Sequence, residues 1–350
     1  MIIVTIGELC MKIVIDCYGA DYSPDELVKG AITSVNLIDD LEIILTGKKD
    51  EIQKVIDEIG YKGDKLTIVD SPEVISCNES PTMAIRRKTS SSLVAGLNIL
   101  KDDPDVIGMI SAGSTGAVLA GGLFTIGRME GVKRPALAPF LPTIKGGQTL
   151  LIDCGANVDC KPEYLKQFAI MGSIYVRAML GIEKPRVGLI SNGVEDHKGN
   201  EQIHQTFELL KNTPEINFIG NMEAREMLSG DYDVLVCDGF TGNVALKSAE
   251  GTMNTLMGVL KQEIKNGGVK SKIGYLFMKK ALKNLKKRLN YTEVGGSPFL
   301  GINKILVKSH GSSKAKTIYA CVRQVIDIHN SNYIEKMREG IKNSSMVGEN

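Results

Sequence analysis

The segment from residue 151 to 165 reads LIDCGANVDCKPEYL and concentrates side chains that can do chemistry. It offers a metal centre, a nucleophile or a polar cradle for a charged substrate. Zinc commonly takes four ligands from CxxC-like pairs, whereas Cys154 and Cys160 are six positions apart with no nearby histidine. A reactive thiol needs a base or a positive neighbour, and Lys161 adjoins Cys160, so a nucleophilic cysteine stays an alternative. The polar side chains that favour a cradle, with no metal, are Asp153, Asn157 and Asp159.

A second candidate site follows the apolar run DVIGMI, where the chain reads SAGSTGAVLAGG. Glycines let the backbone approach a ligand closely, and free N–H groups at the start of a helix attract anions. The pattern therefore predicts an anion-binding turn formed by Gly113, Ser114, Thr115 and Gly116. Plain helix capping by the two hydroxyls is the alternative. The spacing matches neither the Walker sequence nor GxGxxG, so a nucleotide is not indicated.

Three more apolar runs end in polar, glycine-rich segments. Any one of them could be a turn with a helix cap, but together they predict a shared cleft for an anionic substrate. His310 is the best acid–base candidate among the four histidines, and His197 is the second. The candidates in these segments are His197, Lys198 and Asn200; Asp238, Thr241, Gly242 and Asn243; and Ser309, His310, Gly311 and Ser312, which follow Lys308.

Composition limits the classes of function. Charged residues make up 24% of 350 residues and the net charge is +1, so global charge predicts no partner and nucleic acid is not expected. Seven scattered cysteines, an odd count, suit a reducing cytoplasm better than a disulfide framework. Apolar runs stay well below the ~18 residues of a membrane span. The start lacks a basic leader, so a signal peptide is not expected.

The elements that must position these residues alternate along the chain. Short apolar runs such as KIVID, LEIILTG and TLLID alternate with helical patterns at 24–37, 48–59 and 201–211. This alternation predicts an α/β protein with a largely parallel sheet, in which ligands bind at the carboxyl ends of the strands. Glycine and proline cluster at 131–147, which predicts a crossing between lobes or strands. We expect residues 1–10 to be an extension, with Met11 opening the first strand, and 336–350 to be a tail.

Several long motifs resemble those of the bacterial phosphate acyltransferases, which act on acyl carrier protein and phosphate. The similarity spans about residues 11–335, and its motifs include MKIVIDCYGAD, MAIRRKTSSSL, SAGSTGA, RPALAPFLPT, DCGANVDCKPEYLKQFAIMGSIY, VCDGFTGNVALK and SHGSS. The resemblance implies one catalytic α/β unit, with two lobes as an option, and a three-layer α/β/α fold like that of phosphotransacetylases and isocitrate dehydrogenases. It also implies a homodimer.

The family commonly reads D-x-M-G-G-D-x-A-P in its first motif, and this chain departs from it at three positions. Tyr18, Ala20 and Ser23 replace methionine, glycine and alanine, and Ala20 reduces the backbone freedom of the loop. The residues of this loop that match the family pattern are Asp16, Gly19 and Asp21.

The reaction that the resemblance implies is attack of inorganic phosphate on an acyl-carrier-protein thioester, which yields a long-chain acyl phosphate for phospholipid synthesis. Phosphate is already an anionic nucleophile and a thiol of pKa about 8.5 leaves readily, so neither a cofactor nor a covalent intermediate is expected. The site must still hold phosphate against the thioester carbonyl and stabilise the oxyanion that develops. Asn157 or Asn243 is a candidate for stabilising the oxyanion. Asp153, Asp159 and Asp238 cannot attract phosphate directly, and they are expected to orient Lys161, Lys198 or Arg86 and to fix the loops by hydrogen bonds.

Rival functions share the fold group. A short-chain phosphotransacetylase acting on acyl-coenzyme A is the nearest alternative. A metal- and NAD(P)-dependent hydroxy-acid dehydrogenase is further away, because no dinucleotide fingerprint accompanies the aspartates. A module that only binds lipid or carrier protein is the third. For Arg86, Arg87 and Lys88, the alternatives are a solvated face, or contact with phosphate or the acidic carrier protein.

A basic amphipathic helix is predicted at 266–289. Leu282 and Leu285 fall on its apolar face, and Lys283 and Lys286 lie among the basic residues around it. Such a helix can lie on an anionic membrane surface, which would make a cytoplasmic protein peripherally membrane-associated. Packing on the core or on a dimer mate, and docking of the acidic carrier protein, are the other interpretations.

Overall fold

The computed structural model describes residues 10–289 and 295–344, and its chain forms two compact units. The first unit contains the described chain up to Leu137, the segment Ile174–Glu183 and residues 295–344. The second contains Ala138–Ser173 and residues 184–289. The first passage between them falls after Leu137, inside the glycine- and proline-rich segment 131–147.

Most strands of the described residues coincide with the apolar runs of the sequence, whereas the short strands at 136–137, 140–142 and 297–300 were not predicted. In chain order they are β1 (Met11–Asp16), β2 (Leu41–Gly47), β3 (Leu66–Asp70), β4 (Val106–Ser111), β5 (Ala136–Leu137), β6 (Phe140–Pro142), β7 (Gln148–Ile152), β8 (Arg186–Ser191), β9 (Asn217–Glu223), β10 (Val234–Val236), β11 (Ser297–Leu300) and β12 (Ile305–Lys308).

The helices between them confirm the three helical patterns at 24–37, 48–59 and 201–211 to within one residue at each end. In chain order they are α1 (Asp25–Leu37), α2 (Lys49–Ile59), α3 (Pro81–Arg87), α4 (Ser92–Asp102), α5 (Thr115–Gly121), α6 (Pro162–Leu180), α7 (Glu201–Lys211), α8 (Gly239–Asn266), α9 (Gly268–Leu289), α10 (Ala315–Asn330) and α11 (Tyr333–Lys342). The π-helical turn Gly122–Ile126 continues α5.

The sheet of the first unit has seven strands in the order β3-β2-β1-β4-β12-β11-β5. Its first five strands are parallel, and β11 runs antiparallel to both of its neighbours. Ile13, Val14 and Ile15 are fully buried, as expected where helices cover a parallel sheet on both faces. The predicted α/β class with a largely parallel sheet is therefore confirmed.

The sheet of the second unit has five strands in the order β6-β7-β10-β8-β9, and only β6 is antiparallel to its neighbour. The apolar residues at 150–152 of β7 and 234–236 of β10 are fully buried, as expected for a parallel sheet covered on both faces. The two strands pair directly, with Ile152 opposite Val236. The polar segments that follow each strand therefore begin side by side.

The predicted N-terminal extension and the predicted C-terminal tail both fall only partly within the described residues. The predicted extension lies outside the described residues except for Cys10, and Met11 opens β1 as predicted. At the other end, α11 runs through position 336, where a tail is expected to begin. Met337 and Ile341 are buried, so their packing holds this helix on the first unit, and residues 345–350 lie outside the described chain.

Candidate functional site

Three polar residues stand at the carboxyl ends of adjacent parallel strands in the first unit. Strand register places Asp16 of β1 opposite Ser111 of β4, and Ser111 opposite Lys308 of β12. The Ser111 hydroxyl donates to Asp16 Oδ2 at 2.7 Å, and the Gly113 N–H donates to Ser111 Oγ at 3.2 Å. These bonds fix the start of the predicted anion-binding turn to the buried end of the sheet.

Of the two uses that the sequence leaves open for this turn, the structure shows helix capping, and anion binding stays a prediction. The Ser114 Oγ accepts from the Ala117 N–H at 3.2 Å and is the N-cap of α5, so its capping role is real. Thr115 is the first residue of α5 and is half-buried. Gly116 has no room for a side chain, because a Cβ there would lie 2.7 Å from Pro81 Cγ of α3.

The first loop closes on this turn. Gly19 has a φ of 84°, and a Cβ on it would lie 2.9 Å from Gly113 Cα, so only glycine fits at this approach. The Tyr18 N–H donates to Asp16 Oδ1 at 3.2 Å. The Asp21 N–H donates to the Gly311 carbonyl oxygen at 2.9 Å, which joins the first loop to the loop after β12. The structure thus brings the three first-loop candidates together with two other predicted segments.

The residues that differ from the family's first motif make hydrogen bonds and packing contacts with their neighbours. Among the described residues other than glycine only Asn332 has a positive φ, so Ala20 loses nothing by not being glycine. Its N–H donates to Ser23 Oγ at 3.0 Å, a bond that alanine at position 23 could not accept. The Tyr18 ring fills the space above Gly47, and its hydroxyl donates to Glu51 at 2.7 Å. The expected weakening of this loop by Ala20 is therefore not found.

Burial sets the charge states of this cluster. Loss of solvation raises the pKa of Asp16 to about 6, although hydrogen bonds from Ser92, Ser111 and the Tyr18 backbone oppose the rise. Loss of solvation likewise lowers the pKa of Lys308 to about 8. Near pH 7 the cluster therefore presents a carboxylate below the turn and an ammonium beside it. Lys308 Nζ donates to the carbonyl oxygens of Ala112, at 3.4 Å, and Ser309.

The loop after β12 contains both a buried hydroxyl and an exposed histidine. Ser309 is fully buried, and its hydroxyl shares a 2.6 Å hydrogen bond with the Ser313 hydroxyl. His310 is exposed, and its Nδ1 accepts from the Ser312 N–H at 3.2 Å and lies 2.7 Å from Ser312 Oγ. An accepting Nδ1 places the proton of the neutral ring on Nε2. The proton of the neutral His310 ring is therefore on Nε2, whereas the Ser309 hydroxyl holds the loop through Ser313.

A second cluster forms in the second unit where β7 and β10 end. Asp153 is fully buried and accepts from the N–H groups of Ala156 and Asn157, at 3.1 and 2.7 Å, and from Asn157 Nδ2 at 2.9 Å. The carboxylate therefore shapes the loop, as predicted for an aspartate that cannot itself attract phosphate. Asn157 remains next to it, with its backbone carbonyl accepting from the Gly239 N–H at 2.7 Å.

The start of α8 fits closely against this loop. A Cβ on Gly242 would overlap the Asp153 carbonyl oxygen, and one on Gly239 would lie 2.7 Å from the Asn157 carbonyl oxygen. Asp238 is the N-cap of α8 and accepts from the Thr241 N–H at 2.7 Å. Asn243 lies across from Gly155, whose Cβ position is 3.8 Å from the asparagine Cβ. Six predicted residues of two segments thus meet here.

The loop after β8 contributes mostly backbone structure. Asn200 is the N-cap of α7 and accepts from the Ile203 N–H at 3.0 Å. His197 is exposed, and its carbonyl oxygen lies 2.8 Å from His204 Nε2. Asn221 holds the loop by donating to the carbonyl oxygens of Glu195 and Lys198, at 3.0 and 3.4 Å. Asn221 lies on β9 and was not identified from the sequence.

The cysteines beside the second cluster are poor nucleophiles. Burial raises the pKa of the Cys154 thiol well above its usual value, with the Asp153 charge adding to the rise. Cys160 is half-buried, and its thiol donates to the Asn157 carbonyl oxygen at 3.5 Å. Cys237 is buried and donates to the Asp153 carbonyl oxygen at 3.3 Å. Their contacts favour a packing role over an activated thiolate.

The remaining candidates lie outside these contacts. Asp159 and Lys161 are exposed just before α6, and the Arg86 guanidinium lies over the Phe124 ring in the first unit. Ser92 and Ser111 were not identified from the sequence, and Lys308 was given no role of its own. Ser111 carried a usable signal, because it is the first polar residue at the end of an apolar run. Ser92 is the first residue of α4 and follows the N-cap Ser91, and it ends no apolar run that could have marked it.

The capping geometry separates the effects expected from the two hydroxyls of the turn. Ser114→Ala should destabilise the protein by about 1 kcal/mol through loss of the N-cap. Thr115→Val should leave stability nearly unchanged and raise the KM for phosphate by about 5- to 150-fold, the equivalent of 1–3 kcal/mol for a hydrogen bond to a charged group. Phosphate kinetics and urea unfolding of both variants check this. An unchanged phosphate KM in Thr115→Val would remove its hydroxyl from the site.

Comparisons with known proteins agree with this architecture. The family model described as "Fatty acid synthesis protein" matches residues 11–336. A phosphate acyltransferase of Clostridium tetani is 46% identical over 333 residues, which cover 95% of this chain and 98% of that protein. One of Caldanaerobacter subterraneus subsp. tengcongensis is 43% identical over 332 residues, which cover 95% and 98%.

Solved structures show the same fold at low sequence identity. A phosphotransacetylase from Streptococcus pyogenes has a TM-score of 0.61 at 18% identity, covering 93% of this chain and 94% of its own. A branched-chain phosphotransacylase from Enterococcus faecalis has a TM-score of 0.55 at 14% identity, covering 91% and 99%. The match to the family model over nearly the whole chain, with relatives above 40% identity, shows that this chain belongs to the fatty acid synthesis protein family, as an enzyme of the phosphate acyltransferases.

Proposed function

We propose that this enzyme transfers a long-chain acyl group from the thioester of acyl carrier protein to inorganic phosphate. The observation that carries the proposal is the position of Lys308. Its ammonium group stands in register with Ser111 and Asp16, beside the Gly113–Gly116 turn. A cation next to a glycine-rich turn at the carboxyl end of parallel strands suits a phosphate dianion.

The chemistry needs one displacement at the acyl carbon. A phosphate oxygen attacks the thioester carbonyl carbon, the C–S bond breaks, and the thiol leaves as the acyl phosphate forms. Lys308 and the turn hold the phosphate, and Asp16 acts through Ser111 by keeping the turn in place. Asn157 and Asn243 stay predicted donors to the oxyanion, and His310 with its Nε2–H stays a predicted proton donor to the leaving thiolate.

The test is phosphate-dependent release of thiol from three substrates. We expect release from palmitoyl-carrier protein that is proportional to enzyme and needs phosphate. Acetyl-coenzyme A should be a poor substrate, and NADP with isocitrate should give no reduction. Faster turnover of acetyl-coenzyme A would identify a short-chain phosphotransacetylase instead, and reduction of NADP would overturn the acyl transfer.

Direct attack predicts that the cysteines are dispensable. Cys154→Ala and Cys160→Ala should each keep activity within about 3-fold, because neither thiol is activated and small packing changes cost about 1 kcal/mol or less. No acyl-enzyme should accumulate during turnover. Mass spectrometry of the enzyme quenched with acyl-carrier protein checks this, and an acyl group trapped on either cysteine would refute direct attack.

We also propose that the enzyme works in the cytoplasm at an anionic membrane surface, which its product must reach to enter phospholipid synthesis. Helix α9 packs beside α8, yet Phe277 is 86% and Leu285 43% exposed, and Leu282 is half-buried. Lys283 is exposed, and the side chain of Lys286 lies outside the described residues. Exposed apolar and basic groups on one helix suit the headgroup region of a bilayer. None of the described helices is long and apolar enough to span a membrane.

Vesicle co-sedimentation should separate the interpretations of α9. We expect binding to phosphatidylglycerol vesicles, little to neutral ones, and loss of binding in high salt, because each basic residue near the surface contributes on the order of 1 kcal/mol. Leu282→Glu with Leu285→Glu should abolish sedimentation while leaving turnover of soluble substrate unchanged. Dissociation of a dimer by this variant, with vesicle binding intact, would instead assign the apolar face to a subunit interface.

A further inference from the structure

A second exposed surface, on the first unit, combines apolar and basic groups. Helix α3 exposes Met83 at 44%, and the π-helical turn after α5 exposes Phe124 at 53%. The Arg86 guanidinium lies 5.1 Å from the centroid of the Phe124 ring, and Arg87 is exposed beside it. We call these four residues the α3 surface. Large exposed side chains gathered at one place, rather than scattered singly, mark an interaction site.

The charge of this surface is uncompensated. Neither α3 nor residues 112–127 contain an acidic residue. Lys88, which follows α3, is paired with Glu79 at 2.8 Å, whereas no carboxylate among the described residues pairs with Arg86 or Arg87. Guanidinium groups that have no carboxylate partner within the chain favour carboxylates of another molecule, which they can bind through two parallel hydrogen bonds. The α3 surface therefore suits an acidic partner with some apolar contact area.

Its place in the fold connects it to the candidate phosphate site. A Cβ on Gly116 would touch Pro81 and one on Gly121 would lie 3.1 Å from Ile85, so α3 lies directly along α5. Helix α5 begins at the Gly113–Gly116 turn, and Phe124 is nine residues beyond Thr115, or roughly 14 Å along a helix. A protein docked on α3 would thus sit a short distance from bound phosphate. A thioester on a flexible arm could bridge that distance.

We propose that the α3 surface docks the acidic carrier protein that presents the acyl thioester. The proposal rests on the proposed function and adds the partner's contact surface to it. The arginines pair with carboxylates of the carrier protein and speed its encounter, while Met83 and Phe124 supply the apolar anchors. Docking on α3 orients the carrier so that its arm enters beside the turn, which lowers the KM for the carrier without touching the reacting atoms.

The test compares a carrier-borne with a carrier-free substrate. For Arg87→Glu with Phe124→Ala, we expect the KM for palmitoyl-carrier protein to rise about 10- to 100-fold, the range for losing a charge-paired anchor. Turnover of palmitoyl-coenzyme A and the phosphate KM should stay unchanged. Lys54→Glu, the same reversal of charge at an exposed site on α2, should change neither KM. Equal losses on both substrates would overturn the docking role, because they would place the surface at the chemistry.

Direct binding makes the inference independent of turnover. Calorimetric titration with carrier protein alone should show affinity for the wild type and its loss in Arg87→Glu with Phe124→Ala. Should the wild type bind carrier but turn over neither thioester, the proposed function would fail while the docking surface stands. Retained binding in that variant, with loss in Lys279→Glu and Lys280→Glu, would move the dock to α9. Loss of vesicle binding in place of carrier binding would make the α3 surface a membrane contact.

Discussion

Lys308→Met is expected to lower kcat/KM for phosphate by about 30- to 150-fold, with little change in the KM for the acyl donor. The estimate follows from losing about 2–3 kcal/mol of hydrogen bonding to a charged group. Methionine keeps most of the volume but removes the ammonium that stands beside the Gly113–Gly116 turn. Initial rates at varied phosphate concentration measure the effect. A proportional loss with respect to both substrates would place Lys308 elsewhere in the reaction.

The pH dependence gives a second, independent readout for the same residue. Burial lowers the pKa of Lys308 to about 8, so its charge is present below that pH and is lost as the pH rises through it. Several titratable groups from other elements face it, namely Cys77, Cys321, Asp16 and Asp21. The wild type should therefore lose kcat/KM for phosphate above about pH 8. Lys308→Arg stays protonated and should shift that loss to higher pH, and coincident profiles would contradict the assignment.

Gly242→Ala is expected to reduce activity by at least about 100-fold and to lower the free energy of unfolding by about 1–3 kcal/mol, the usual cost of an inserted methyl group. The added Cβ would overlap the Asp153 carbonyl oxygen, which is backbone and cannot rotate away. The loop of Asp153 and Asn157 must then move away from the start of α8. Steady-state kinetics and urea unfolding measure the two effects.

The same helix supplies the matched control. A Cβ on Gly251 of α8 would meet no atom within 4 Å, so Gly251→Ala should keep activity and stabilise α8 by about 0.5–1 kcal/mol. Equal behaviour of the two variants would show that helix propensity, and not the contact with the β7 loop, governs position 242.

Local sequence pattern predicted most strands of the described residues, but not the short strands β5, β6 and β11. The buried strands read as continuous apolar runs because both faces of a parallel sheet are covered, and α7 begins and ends where its periodicity predicts. The same logic located the candidate residues, since a polar residue after such a run must lie at a strand end. The helix caps were less distinct. From the sequence, a ligand-binding role and a capping role are equally plausible for Ser114, Asp238 and Asn200. Only the tertiary structure shows the capping hydrogen bonds.

By itself, the sequence determined the α/β class, the order of strands and helices, and the polar residues at the strand ends. Tertiary structure decided which ends meet: Asp16, Ser111 and Lys308 come into register across β1, β4 and β12, while Asp153 and Gly242 meet in the other unit. It also decided that Asp16 is buried and Lys308 half-buried, and the loss of solvation moves the pKa of each toward neutrality. The physical reason is that apolar periodicity encodes which face of a strand is covered, whereas the neighbour of a strand, and the loss of water around its last residue, depend on packing between segments far apart in the chain.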